Sequence, residues 1–251
     1  MSSFTIGLIA FAFVFGGALL GMFLQAALPE HQLKSDSKDA VKLSMGLVAT
    51  MVALVLGLLI ASAKSSFDTQ NSELTDMSSR LVLLDRILAH YGAESREARD
   101  QLRRSVVRAL EEIGSRDRTS LTQSDSSSPG SEDLYDKIQA LSPKADAQRS
   151  TQSQALGIAI GLGQTRWLMY EQRVNSVSVP LLAFLVFWLT ALFISIGLFA
   201  PRNPIVVVTL LVSALSVSGA ILLILEMYTP YSGLIRISDT PLRAALAQLG
   251  H

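Results

Sequence analysis

Four uncharged apolar blocks, Phe4–Leu28, Leu43–Ala63, Val179–Ala200 and Ile205–Leu225, set the solvent in which this chain folds. The hydrocarbon core of a bilayer is about 30 Å thick, which takes roughly 20 helical residues at about 1.5 Å each. Each block is long enough to cross, and inside lipid a lone segment satisfies its own backbone only as a helix. Composition agrees. Charged residues make up 17% of the 251 positions and hydrophobic residues 49%, whereas an ordinary soluble domain is about 25% charged.

The expected fold class is all-α: four transmembrane helices with a cytoplasmic helical bundle inserted between spans two and three. Residues 1–63 form a first transmembrane hairpin with spans 4–28 and 43–63, and residues 64–178 form the helical insertion. Residues 179–225 form a second hairpin with spans 179–200 and 205–225, tightly turned at Pro201-Arg202-Asn203-Pro204. Residues 226–251 supply a turn and a short amphipathic helix. The first block reads as a span rather than a cleaved signal, because it lacks a basic leader and exceeds the usual apolar run of about 7–15 residues.

Near the spans, the side holding the chain ends carries Lys64, Arg80, Arg166, Arg173, Arg236 and Arg243. The other side carries Lys34, Lys38, Lys42 and Arg202. This bias predicts cytoplasmic termini.

In the insertion, Leu74, Met77, Leu81, Leu84, Leu88 and Tyr91 alternate steps of three and four, the seam of a helix packed on a helix. Nothing between Lys64 and Tyr91 breaks a helix, so the second span is expected to continue to a stop at Gly92. Leu102, Val106, Ala109 and Ile113 mark a second helix ending at Gly114. Arg116–Ser131 is Ser-rich and reads as a mobile loop. A short helix with Leu134, Ile138 and Leu141 follows, and Ser142-Pro143 is placed to start a long helix reaching about Ser178.

Several function classes are excluded or unsupported. Equal numbers of basic and acidic residues, 21 each, give no support to bulk nucleic-acid binding. The absence of Cys removes disulfides and thiolate metal sites, and His31, His90 and His251 are too scattered for a metal centre. No phosphate-binding loop and no Gly-x-Ser-x-Gly elbow occurs. The Gly157, Gly161, Gly163 run lacks the strand a nucleotide site requires and suits a helix contact. No catalytic residue, metal or cofactor is expected, and the chain is not expected to be an enzyme.

The second span carries an unusual face. Lys42, Gly46, Thr50, Ala53, Gly57, Ala61 and Lys64 recur at steps of three and four, so they line one side of the helix. Around a symmetry axis, small residues leave room for water and a ring of Lys at either mouth favours anions. The competing reading is close helix packing, with each Lys reaching to the headgroups. Gly17 and Gly21 mark a packing face on the first span, with Gln25 one turn on. Thr209, Ser213, Ser216 and Ala220 form a similar stripe on the fourth. Glu226, where the fourth span meets the interface, is a candidate gate or ion contact, with Arg236 as a candidate partner. Arg103, Arg104 and Arg108, interleaved with Glu111 and Glu112, read as a solvated face, and His90 as a helix-end cap.

The tail Glu226-Met227-Tyr228-Thr229-Pro230-Tyr231-Ser232-Gly233-Leu234-Ile235-Arg236-Ile237-Ser238, followed by Pro241-Leu242-Arg243, resembles that of the bacterial bestrophin-like family of four-span membrane proteins. Pro230, Gly233 and Pro241 anchor this signature. Ser66-Phe67-Asp68, Leu84-Asp85-Arg86 with Tyr91-Gly92, and Gly197-Leu198-Phe199-Ala200-Pro201-Arg202-Asn203 support it. The resemblance is to distant relatives of the bestrophin anion channels, whose second span lines a pentameric pore.

It implies a bacterial inner-membrane, multi-pass homo-oligomer, with a pentamer favoured. The implied activity is an ion channel or channel-like pore, probable cargo being anions, with lipid as its other partner and no nucleic acid. The alternative is a non-conducting scaffold or signalling protein whose cytoplasmic helices bind a partner. The second span has no Phe, and the tail holds only Glu226 and Asp239 as acids, so it offers no acidic cluster for a calcium clasp.

Overall fold

A computed structural model describes residues 2–27, 35–115, 129–174, 179–229 and 233–250. Within them the chain is all-α: α1 (Ser3–Ala27), α2 (Ser35–Tyr91), a 3-10 turn (Ala93–Ser95), α3 (Arg96–Ser115), α4 (Pro129–Gln139), α5 (Asp146–Val174), α6 (Val179–Phe199), α7 (Pro204–Met227) and α8 (Thr240–Gln248). Four of these are long and apolar enough to cross a membrane: α1, α2, α6 and α7. The chain divides into two units, Met1–Ser66 with Val177–Thr229, and Phe67–Ser176 with Pro230–His251.

In the first unit α1 packs against both α6 and α7. Ala10, Val14 and Ala18 of α1 meet Leu185, Leu189 and Phe193 of α6 and Ala214, Ile221 and Ile224 of α7 in one buried cluster. Val52, Leu59 and Ala63 bring α2 into the same core. Pro201-Arg202-Asn203 returns the chain from α6 to α7. There Asn203 caps the new helix by accepting from the Ile205 N–H at 3.2 Å, and Pro204, which has no N–H to orphan, occupies its first turn. Large side chains such as Phe13, Phe23, Phe184, Phe187, Val208 and Leu215 remain exposed on the protomer. In water such a surface would be a severe liability; for a chain with four candidate spans it is what lipid contacts.

The second unit is a helical bundle. The α2 seam is buried at Leu74, Leu81, Leu84, Leu88 and Tyr91. Leu81, Leu84 and Leu88 pack with Leu102 and Val106 of α3, Leu134 and Ile138 of α4, and Ala155 and Leu162 of α5, while Leu74 packs with Met169 and Ile237. Helix α2 ends where the sequence stops it: Gly92 takes φ +122°, a backbone conformation that a Cβ disfavours. Ser95 then holds the corner, its hydroxyl donating to the Leu88 carbonyl and to the Gly92 carbonyl.

Helix α8 belongs to this bundle. It packs against α3, with Leu242 and Leu249 buried in the common core, so its apolar face is spent on protein.

Two boundaries differ from the sequence expectation. Helix α4 already begins at Pro129, inside the stretch read as a loop; residues 116–128 lie outside the described residues. Helix α5 begins at Asp146 rather than at Pro143. Two glutamines of α5 explain the delay. The Gln148 side chain accepts from the Lys144 N–H at 2.8 Å and donates to the Tyr91 carbonyl at 3.1 Å. Gln152 donates to the Ile138 and Leu141 carbonyls, both at 2.9 Å, closing the exposed end of α4. Held by these bonds, residues 141–145 turn between helices instead of extending the next one.

Candidate functional site

Helix α2 presents three faces along its membrane stretch. Residues advance about 100° each around a helix. On that wheel Val52, Leu59 and Ala63 share the side that enters the protomer core. A second side is large and apolar: Leu47, Met51, Leu54 and Leu58 are all exposed, Leu54 by 75%. Gly46, Thr50, Ala53, Gly57 and Ala61 make up the third side, also exposed, with Lys42 and Lys64 at its two ends. A Cβ added at Gly46 or at Gly57 would meet no atom within 4 Å. The Thr50 hydroxyl is turned back onto its own helix, donating to the Leu47 carbonyl at 2.8 Å.

The seven stripe residues span about 100° of the α2 circumference, between its core-facing and large apolar sides, with the exposed Ile60 and Leu43 at the two edges. Among the described residues no other helix comes within 4 Å of where a Cβ would stand at either glycine. Only 11% of the apolar window of α2 is buried in the protomer, against 33% for α1 and 22% each for α6 and α7. Of the four spans, α2 keeps the most circumference for contacts beyond its own chain.

Gly17 and Gly21 lie elsewhere, against α6. A Cβ at Gly17 would stand 3.0 Å from Thr190 Cγ2, and one at Gly21 only 2.1 Å from the Ile194 carbonyl oxygen. Gly197 answers from α6, where a Cβ would come within 2.1 Å of the Ala18 carbonyl oxygen. These three glycines set the approach of two backbones.

Glu226, one residue before the end of α7, is 6% exposed. Beside it in sequence, the Tyr228 hydroxyl donates to Ser62 Oγ of α2 at 3.2 Å, and Thr229 Oγ1 donates to the Glu226 carbonyl at 3.3 Å. Arg236 is in the second unit, exposed, its Nε donating to the Gly233 carbonyl at 2.7 Å. Gly233 adopts φ +123°, so the turn uses the freedom that only glycine has there. Pro241 sits in the first turn of α8. Pro230 lies outside the described residues. Among the described residues no group of three or more His, Asp or Glu is placed to hold a metal ion.

The family model for the bestrophin-like domain matches residues 12–242. The chain belongs to the bestrophin-like family. No curated protein and no solved structure matches it. The match takes in the first span from residue 12, the other three spans, the α2 face and the tail signature as far as Leu242, so this bestrophin-like protein is a multi-pass membrane protein.

One constellation in the bestrophin-like chain escaped the sequence reading. Asp85 of α2, its side chain 3% exposed, is held by Arg99 of α3 in a bidentate pair, Nε to Oδ1 at 2.7 Å and Nη2 to Oδ2 at 2.8 Å. The Gly250 N–H, just beyond α8, donates to the same carboxylate at 3.2 Å. Burial pushes the Asp85 carboxyl up, but the hydrogen bonds from Arg99 and Gly250 and the guanidinium charge outweigh it, leaving its pKa below the ordinary 3.8. Arg99 is raised in turn, chiefly by its hydrogen bond to Asp85.

Three segments far apart in sequence thus meet on one carboxylate. A signal was present: Asp85 stands four residues after Leu81 and three before Leu88, on the buried side of the helix. Around this cluster, Glu97 pairs with Lys137, whose hydrogen bond brings the Glu97 pKa down, and Glu94 is lowered first by a hydrogen bond from its own backbone and then by its pairing with Lys144. Arg104 Nε donates to Gln101 at 3.1 Å, while Arg103 and Arg108 are exposed.

Proposed function

We propose that copies of this chain assemble in the bacterial cell membrane around a central axis and conduct anions. The third face of α2 lines the conduit. One observation carries the reading: a continuous side of small residues, with Lys42 and Lys64 at its ends, is exposed in the protomer and separate from both its core-facing and its large apolar sides.

A lipid-facing surface gains from bulk, as at Leu54 and Leu58; a face of Gly, Ala and Thr gains nothing from lipid and leaves width for water. Lys at the mouths concentrates anions electrostatically. Bestrophin-like membership makes a ring of identical subunits the natural assembly, with five the favoured number and the chain ends in the cytoplasm. The chain acts as a conduit, without catalysis.

Lys64→Glu tests the reading in reconstituted bilayers under a salt gradient. The anion-to-cation permeability ratio is expected to fall by about tenfold, because every subunit replaces an attracting charge with a repelling one. A reversal potential identical to wild type removes Lys64 from the conduction path.

A further inference from the structure

The turn between α6 and α7 borders a cleft that conduction does not use. It is a shallow recess of about 560 Å³, broadly open to the outside of the chain. Met22, Phe23 and Ala26 from the end of α1 and Val207 from α7 give it an apolar wall, and Arg202 and Asn203 stand on its rim. Among the described residues no acidic side chain lines it.

Arg202 is exposed, and its Nη2 donates to the Met22 carbonyl at 3.3 Å. That bond fixes the guanidinium over the cleft while using one of five N–H donors. The turn closes two candidate spans, so the cleft opens at a membrane–water boundary.

We infer that this cleft binds one phospholipid, with the phosphodiester on Arg202 and an acyl chain along the wall of Phe23, Ala26 and Val207. The chemistry is complementary at both ends. A guanidinium offers paired donors that match phosphate oxygens, and the end of a span is the depth at which phospholipid headgroups lie. The wall below is apolar, which suits the chain and not a hydrated ion. Arg202 and Asn203 close the stretch Gly197–Asn203, part of the family resemblance that the conduction reading leaves without a role.

Thermal unfolding of the purified full chain in detergent tests this with three probes: dioctanoyl-phosphatidylglycerol, dioctanoylglycerol and inorganic phosphate. The phospholipid is expected to raise Tm saturably, while the diacylglycerol and the free phosphate do not. Arg202→Gln is expected to weaken the apparent affinity about tenfold, through loss of a charge-assisted hydrogen bond. Ala26→Trp, which fills the wall and keeps the arginine, is expected to weaken it as well and serves if Arg202→Gln fails to fold. Equal stabilisation by dioctanoylglycerol, equal stabilisation by inorganic phosphate, or wild-type saturation in both variants would each overturn the assignment.

Discussion

Replacing Gly21 with alanine is expected to destabilise the first unit by about 3 kcal/mol, whereas Gly16→Ala leaves it unchanged or slightly improved. The contrast follows from what surrounds each position. A methyl group at Gly21 would stand 2.1 Å from the Ile194 carbonyl oxygen and 2.9 Å from the Leu198 backbone nitrogen. Both are backbone atoms of α6 and have no rotamer to escape into, so α1 and α6 must move apart. Separation costs more here than in a soluble protein, because helix association within lipid rests on van der Waals contact and has no water-driven term to fall back on.

Gly197→Ala meets the Ala18 carbonyl oxygen at 2.1 Å and is expected to do the same from the other side. At Gly16 an added Cβ meets nothing within 4 Å, so alanine there brings only its better helix propensity. Thermal unfolding in detergent checks the pair of predictions. A loss of about 3 kcal/mol corresponds to a fall in Tm of roughly 10 °C for a chain of this size. A Gly21→Ala protein that melts with wild type would show that the two helices are not in backbone contact.

The second large effect is expected at Asp85. Asp85→Asn keeps the shape but leaves the Arg99 guanidinium partly buried without its counter-charge, a loss of about 3 kcal/mol or more. Removing both charges as Asp85→Leu with Arg99→Leu is expected to recover much of it, since a buried pair exchanged for packed apolar groups is often near neutral. The pH dependence has a definite sign. The folded-state pKa of Asp85 lies below its ordinary 3.8, so its contribution is fully present above that value and is lost as pH falls through the lower folded-state value. Wild type is therefore expected to lose stability on acidification below about pH 4 more steeply than Asp85→Asn. Matching acid limbs in the two proteins would move the sensitivity to other carboxylates.

The four spans were legible because one solvent condition governs them: a charge-free run longer than the bilayer is thick has few other uses. The α2 seam was legible for a similar reason, since a spacing of three and four commits one face of a helix to a partner. Gly17 and Gly21 announced a packing face by their interval. Their partner Gly197 did not, because a lone glycine in an apolar span carries no mark of what faces it.

The Asp85 cluster stayed hidden because its three members, from α2, α3 and the tail, come together only when the bundle closes. The start of α5 was misplaced for a local reason. Pro143 is a sound first-turn signal, but Gln148 and Gln152 reach back to carbonyls at the ends of α2 and α4 and hold the intervening residues in a turn. The α2 stripe is a further case: its residues and their common face were readable, yet spacing alone does not say what that face meets.

The most direct test uses the absence of cysteine from the chain, which allows single cysteines to be placed without background. Each would be introduced at Gly46, Thr50, Ala53, Gly57 or Ala61, and for comparison at Leu47, Leu54 or Leu58, with anion current recorded in reconstituted bilayers. A charged, water-soluble thiol reagent is expected to change the current at the first set and to leave the second unaltered. Reaction at the leucine positions with silence at Gly46 through Ala61, or a correctly inserted protein that passes no current at all, would contradict a pore lined by the small face of α2.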